Sequence, residues 1–497
     1  MLNLTGKHSE VFHYDQNDGI MSEITWMGGF ILADALMEAE KIRIDVVQAT
    51  DELIRQRYSQ YLTPKETASF AAQMLSTPKS FPACCLDLGS GTGILTVALA
   101  ERFGWNIKAD AVEIDSDMAA ICDSTLSELN IDHKVISCDV LSHVFQSEYD
   151  YVILNPPYKK MSSGDSRQEL LPIKATNYYS AFLTRAIEAL KPGAECVAII
   201  PRSWTNGEYF APFRNWLFDR CSIDWMHLYG SRTEVFSDTN VLQETMLLKI
   251  HKGQQSPHIK TTESVGKFDT VVSHNYPADE LIVGPPDRKI VSMRPIKKGP
   301  LHSLSTLKER GLIASTGKVV DFRLREKLLD DNEDGCVPLV YSCNFTKNGF
   351  LHPVSAGKKQ WFSVTDQKDE KLLIGPGSFV VVKRFSSKEE AKRIKAHAFF
   401  PDGSIALENH QNFIHAGTPR KTVPLEKGVA KGLDIWLNST LVDNWFRSIS
   451  GSTQVNASDL NQMPVPSFDD LELMGKQWRI GLRQDIIDRI CEDVVNG

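Results

Sequence analysis

Asn155-Pro156-Pro157-Tyr158 is the stretch of this chain whose residue types and spacing could do chemistry. An exocyclic amine on an aromatic ring is a poor nucleophile, because its lone pair is delocalised into the ring. Two acceptors aimed at its hydrogens, the Asn155 side-chain oxygen and the Pro156 carbonyl, would draw it toward a tetrahedral, nucleophilic geometry. Pro156 and Pro157 stiffen the backbone so that both acceptors stay aimed. Tyr158 offers a flat face on which the ring can stack. Taken alone, the tetrapeptide also reads as a proline-rich turn after a buried strand, since the apolar run Tyr151-Val152-Ile153-Leu154 precedes it.

The elements that would position this stretch lie upstream. Leu86-Asp87-Leu88-Gly89-Ser90-Gly91-Thr92-Gly93 follows a short strand and precedes the helical run Ile94 to Phe103. Glycines permit a tight turn and close approach of the backbone to a ligand. The acid before the turn, and no third glycine where a pyrophosphate loop needs one, favour a nucleoside ligand without phosphates over a dinucleotide. A second strand ends Val112-Glu113-Ile114-Asp115, where an acid ordinarily meets ribose hydroxyls, and Glu113 is assigned that role. A third, Lys134 to Val140, carries Asp139, placed to accept from an adenine amine. Each acid alone is an ordinary loop carboxylate. Their ordered series, each closing a βα unit ahead of Asn-Pro-Pro-Tyr, is not easily had by chance.

With these motifs the chain resembles the class I S-adenosylmethionine-dependent methyltransferases, specifically the gamma-class (TaqI-like) adenine-N6 DNA methyltransferases of type II restriction–modification systems. The resemblance implies an α/β, Rossmann-like, seven-stranded and mostly parallel sheet, with a C-terminal mixed α+β target-recognition domain. It carries Thr63 of Tyr61-Leu62-Thr63-Pro64 over as cofactor-binding, with Asp87, Gly89, Gly91, Glu113, Asp139 and Asn155. Read locally, Thr63-Pro64 is also a helix N-cap with proline at the first helical position. The resemblance assigns catalysis to Asn155, Pro156, Pro157 and Tyr158. It adds Phe236, in Glu234-Val235-Phe236-Ser237, as a second aromatic stacking on a flipped adenine; without it, Phe236 reads as a core residue at a strand edge. It implies double-stranded DNA as substrate, a separate cognate restriction endonuclease as a possible partner, and a bacterial, cytoplasmic, nucleoid-associated setting. No metal is expected, because the cofactor already carries its leaving group.

Composition agrees with a soluble globular protein. The 497 residues suffice for two or three domains. No run approaches 18 apolar residues, and the polar Met1 to Asp18 lacks a signal-peptide core. Nine cysteines without C-x-x-C spacing read as buried free thiols. The net charge of −8 looks wrong for a nucleic-acid binder, but it is unevenly spread. From Asp287 to Ala430 there are 25 Lys+Arg and 16 Asp+Glu, or +9, which leaves −17 for the remainder. A basic region in an acidic enzyme fits a phosphate-contacting domain, densest at Lys383-Arg384 and Lys388 to Lys395.

The expected organisation is a helical extension over 1–50, a catalytic domain over 51–252, a connecting region over 253–300 and a DNA target-recognition domain over 301–497. Phe30 to Ile54 has helical periodicity. In the last domain Ser450-Gly451-Ser452-Thr453-Gln454-Val455-Asn456 suits a loop approaching DNA, where Gln and Asn read adenine edges, or equally a turn with an Asn or Ser cap. Alternative readings keep the same tetrapeptide: cytosine-N4 methylation of DNA, where Ser-Pro-Pro-Tyr is more usual, or methylation of a glutamine amide or of RNA, by chains that are typically shorter. A nucleotide-binding module without turnover is disfavoured by the intact tetrapeptide. No fused nuclease motif is found.

Overall fold

The computed structural model describes residues 35–49, 62–146, 148–229, 245–264, 271–284, 286, 288–296, 300–346, 349–386, 390–450 and 454–496, with the backbone of 11–12. The chain forms two compact units, Met1–Thr205 with Tyr209–Met293, and Asn206–Glu208 with Arg294–Gly497.

The first unit is built on one sheet. A short strand β1 (Val11–Phe12) and helices α1 (Ala35–Ala49) and α2 (Lys65–Gln73) precede four strands, three of them followed by a helix. These are β2 (Ala83–Leu88) and α3 (Ile94–Arg102), β3 (Ile107–Glu113) and α4 (Ser116–Glu128), β4 (His133–Ser137), then β5 (Tyr149–Leu154) and α5 (Tyr178–Ala189). β6 (Leu190–Pro201), α6 (Ala211–Phe218), β7 (Cys221–Tyr229), β8 (Thr245–Lys252), β9 (His258–Ser264) and β10 (Val271–Pro277) complete it. The order is β1-β10-β9-β7-β8-β6-β5-β2-β3-β4. β2 to β6 are mutually parallel, and β8 inserts antiparallel between β6 and β7.

Period-2 alternation sends the central strands to two cores. Leu86, Leu88, Val152, Leu154, Ala198 and Ile200 face α5 and one core, while Cys85, Tyr151, Ile153, Val197 and Ile199 face the other, shared with α1, α2 and α3. Burial on both faces is why these strands read as near-continuous apolar runs. The N-terminal periodicity resolves as α1, whose Leu36 amide donates to Glu101 of α3 at 3.0 Å.

Two expectations are corrected. The sheet has ten strands rather than seven, because β9, β10 and β1 extend it beyond β7. For the same reason His258–Ser264 and Val271–Pro277, placed in the expected connecting region over 253–300, belong to the sheet. β9 is polar, which hid it, but its hydroxyls find partners on β7: Trp225 Nε1 donates to Thr262 Oγ1 at 2.8 Å, and the His227 ring bonds Thr262 and Ser264. Satisfied hydroxyls can be buried at little cost.

The second unit is mixed α+β. Leu312–Thr316, Gln411–Thr418, Phe379–Lys383 and Ala396–Phe399 pair antiparallel in that order. A second sheet contains Cys336–Val340 and Ile405–Leu407. Helices Lys427–Leu437 and Phe468–Gln477 cross so closely that a Cβ on Gly432 would lie 1.9 Å from the Leu471 carbonyl oxygen. The described basic side chains of the run are largely engaged within the unit, although only Arg393 among them is buried. Arg393 is 1% exposed and donates to Ser386, Lys392 reaches the Asn438 carbonyl, and Lys383 and Lys395 share Glu390. Charge counting sees composition, not which side chains a strand pairing turns inside.

Candidate active site

The carboxyl ends of β2, β3, β4 and β5 lie level. Asp87 is in register with Ala111 of β3 and Ile153 of β5, and Glu113 with Ser137 of β4. From β2 the chain steps outward to β3 and β4 on one side and then crosses back to β5 on the other, the kind of reversal at which open α/β sheets bind ligands.

The glycine turn after β2 is held by backbone and by acid. Gly89, Gly91 and Gly93 have φ of 77°, 55° and 87°, a left-handed region that side chains with a Cβ disfavour. A Cβ on Gly91 would also sit 2.9 Å from Leu62 Cδ2. Gly89 and Ser90 donate to the Val112 carbonyl, and Gly91 donates to Glu113 Oε2 at 2.9 Å. Glu113 Oε1 accepts from Ile114 and Asp115 at 2.9 and 3.1 Å. Burial raises the Glu113 carboxyl above its usual range, and these three backbone donors oppose the rise. Glu113 therefore does structural work in addition to the role expected of it.

Asp87 is 1% exposed. Oδ2 accepts from Thr96 Oγ1 at 2.9 Å, while Oδ1 has no partner among the described residues. Burial first, with the nearby Glu113 charge, pushes its pKa up to about 7, against the Thr96 hydrogen bond. Thr92 Oγ1 is a second buried atom left without a partner on the same turn. Such orphans cost free energy unless something outside the fold satisfies them.

Thr63 does not cap a helix, contrary to the local expectation. Pro64 takes the cap position of α2, so the threonine side chain is released, and its Oγ1 accepts from Asn155 Nδ2 at 2.9 Å. Asn155 Oδ1 accepts from the Tyr158 hydroxyl at 3.0 Å, and the Ile199 carbonyl lies 3.2 Å from that hydroxyl. A phenol has one proton, so Tyr158 serves one acceptor at a time. Pro156 is buried, whereas Pro157 and Tyr158 are half-exposed.

Asp139 lies two residues beyond β4. Its Oδ1 accepts from Leu141 N at 2.9 Å, and its Oδ2 meets Arg167 Nη1 at 2.8 Å. Arg167 is itself paired with Asp165 and lies over the Tyr178 ring. Asp139 is thus already engaged, not a bare acceptor. Sequence reasoning missed Arg167 and Thr96; nothing in their neighbourhoods marks either. The structure brings Thr63, Asp87, Gly89, Gly91, Glu113, Asp139 and Asn155 to Tyr158 to one edge of the sheet. Phe236 lies outside the described residues.

With this geometry in view, the chain was compared with known proteins. The Eco57I restriction-modification methylase family matches residues 97–236. Over 456 residues the chain is 37% identical to the Type II methyltransferase M.BsuBI of Bacillus subtilis, covering 85% of this chain and 90% of that one. The chain belongs to the Type II restriction–modification methyltransferases. M.PstI of Providencia stuartii, also a Type II methyltransferase, is 31% identical over 503 residues, covering 93% and 96%. The Type IIL restriction-modification enzyme MmeI, solved in complex with DNA, superposes with a TM-score of 0.52 at 11% identity, covering 93% of this chain and 74% of that one. That likeness shows the fold.

The cofactor of this methyltransferase is S-adenosylmethionine. The residues fit it: the unpartnered Asp87 Oδ1 and Thr92 Oγ1 border a glycine turn with no room for side chains, suited to a ligand with a cationic, hydrogen-bonding end. No group of three or more His, Cys, Asp or Glu arranged to hold a metal occurs among the described residues, and none of their helices is long and apolar enough to cross a membrane.

Proposed function

We propose that this enzyme methylates the N6 amine of adenine within a specific sequence of double-stranded DNA, as the modification partner of a separate restriction endonuclease. The observation that carries the reading is Asn155. It stands at the carboxyl end of β5 with its amide nitrogen spent on Thr63, so its oxygen is oriented as an acceptor.

In this reading Thr63, Asp87, Gly89, Gly91, Glu113 and Asp139 hold the cofactor. Bound S-adenosylmethionine supplies an electrophilic methyl on a leaving group that departs neutral. The target adenine leaves the duplex at a cost of about a few kcal/mol in stacking and pairing. The Tyr158 hydroxyl turns to the Ile199 carbonyl, freeing Asn155 Oδ1 for the adenine amine, and the Pro156 carbonyl takes the second amine hydrogen. The nitrogen gains positive charge as it attacks, and the two fixed acceptors stabilise that charge more than they stabilise the ground state; once the N–CH3 bond has formed, the nitrogen releases one of its two hydrogens as a proton to solvent. The Tyr158 ring, with Phe236 in the same role, stacks on the extruded base. The second unit selects the DNA sequence.

The test is to incubate the protein with S-adenosylmethionine and mixed-sequence plasmid in excess EDTA, digest to nucleosides and analyse by mass spectrometry. N6-methyladenine is expected. N4-methylcytosine would retain the mechanism and overturn the base. An absence of methylated nucleosides despite cofactor binding would overturn DNA as the substrate.

A further inference from the structure

We infer that the second unit reads a guanine through Arg384, with Gln454 as the residue that orients it; this rests on the DNA reading above. Three segments far apart in the chain meet at one end of this unit. The continuation of Phe379–Lys383 through Arg384 and Phe385 lies beside the turn Glu408 to Gln411, where Arg384 N donates to the His410 carbonyl at 3.0 Å. On its other side Val455 N donates to the Arg384 carbonyl at 2.7 Å, and Phe385 bridges to Gln454. The backbone of Arg384 is therefore clamped from both sides.

Its guanidinium is clamped as well. Nη1 donates to the Asn409 carbonyl at 3.1 Å and Nη2 to Gln454 Oε1 at 3.3 Å. Arginine has five donors in one plane, so these two bonds fix the plane and leave donors over. A plane held at one edge, with donors remaining, is pre-organised for bidentate recognition of guanine O6 and N7. This also divides the roles within the Gln454 to Asn456 stretch. Asn456 is engaged with Asp459 at the start of Ala457–Asn461, and the Gln454 oxygen is given to Arg384. Neither is arranged to read adenine bidentately, as the sequence had suggested.

Two further observations concern the same segments. Arg384 Nε, Asn409 Oδ1 and Gln411 Nε2 are buried with no partner among the described residues. Lys383 and Phe385, which flank Arg384 in the chain, line a cleft of about 330 Å³ with Tyr341, Lys358, Glu408 and His410; by strand alternation this cleft opens on the face opposite the Arg384 side chain. Lys358 and Lys383 each already face a carboxylate, Asp321 at 3.4 Å and Glu390 at 3.5 Å. The cluster is therefore rich in directional donors and acceptors and poor in uncompensated positive charge. That balance favours contacts that discriminate bases over contacts that only grip phosphate.

The experiment uses the full chain with S-adenosylmethionine. Methylated sites are mapped on plasmid DNA, and kcat/KM is measured on duplexes carrying the mapped site with each position replaced in turn. Arg384→Gln is expected to lower kcat/KM on the site by roughly 10- to 100-fold and to lose discrimination at one G·C position, with cofactor affinity unchanged. Arg384→Lys keeps the charge but not the fork, and is expected to lose the same discrimination. It stands in if the glutamine variant does not fold. Gln454→Ala should act in the same direction more weakly, and add nothing to Arg384→Gln. An unchanged site with unchanged rate overturns the inference. So does a uniform loss across all sequences, which is the signature of a phosphate contact or of misfolding. A wild-type enzyme that methylates no DNA overturns the functional reading itself, a result distinct from either.

Discussion

The carboxyl edge of the parallel sheet and the cluster around Arg384 both leave buried polar atoms unpartnered, yet they are assembled in opposite ways. At the sheet edge, Asp87, the glycine turn and Glu113 come from one β-turn-α unit and the strand that follows it. The geometry is locked locally: Glu113 accepts from Gly91, Ile114 and Asp115, and the glycines hold conformations other residues avoid. Around Arg384, partners come from 25 and 70 residues away and are held by single backbone bonds. The first site tolerates little change in residue type. The second is assembled across the fold, so its geometry depends on which distant segments pair.

Substitutions can break one region and leave the other. The largest effect is expected from Asn155→Ala, which removes an acceptor used as charge develops. Its kcat should fall about 10²- to 10³-fold, while cofactor and DNA affinities largely persist; turnover retained in rapid-quench assays would remove Asn155 from the chemistry. Gly432→Ala attacks the second unit alone. Its Cβ meets the Leu471 carbonyl, and a loss of about 1–3 kcal/mol is expected in thermal or urea unfolding. Cofactor binding to the first unit should survive, and calorimetry showing it abolished would contradict the independence of the two regions.

Thr63→Val keeps the shape and deletes the acceptor for Asn155 Nδ2. A net hydrogen bond is worth about 1 kcal/mol, so a fall of roughly 5-fold in kcat is expected. A larger rise in the cofactor Kd than fall in kcat would mean that Thr63 serves the cofactor more than Asn155. A further effect is a pH dependence. The Asp87 pKa is raised from 3.8 to about 7, so its contribution to the stability of the cofactor-free protein is fully present below about pH 4 and is lost progressively as pH rises to about 7. Asp87→Asn should flatten that decline in melting temperature between about pH 4 and 7. An identical decline in the variant would assign it to another group.

Legibility followed the same division. Asp87, Gly89, Gly91, Glu113 and Asn155 to Tyr158 could be read because each sits where a buried apolar run stops, and the stop carries an unusual residue. Asp139 was found the same way, but its pairing with Arg167 was not, since the two are 28 residues apart with no pattern linking them. Thr63 was found with its local role misread: proline at the cap position turned it from its own helix toward Asn155. β9 was missed because its burial depends on hydroxyl partners on β7, which no period along its own sequence records.

The sequence by itself determined the parallel core, the glycine turn and the order of chemical groups along the sheet edge, because strand burial and left-handed backbone are local demands that write themselves into residue type. Only the tertiary structure decided how far the sheet extends, that Arg393 of the basic run lies inside, and that Arg384 and Gln454 share one hydrogen bond. Those depend on which distant segments pair, and long-range pairing is set by the sum of many weak contacts rather than by any residue that announces it.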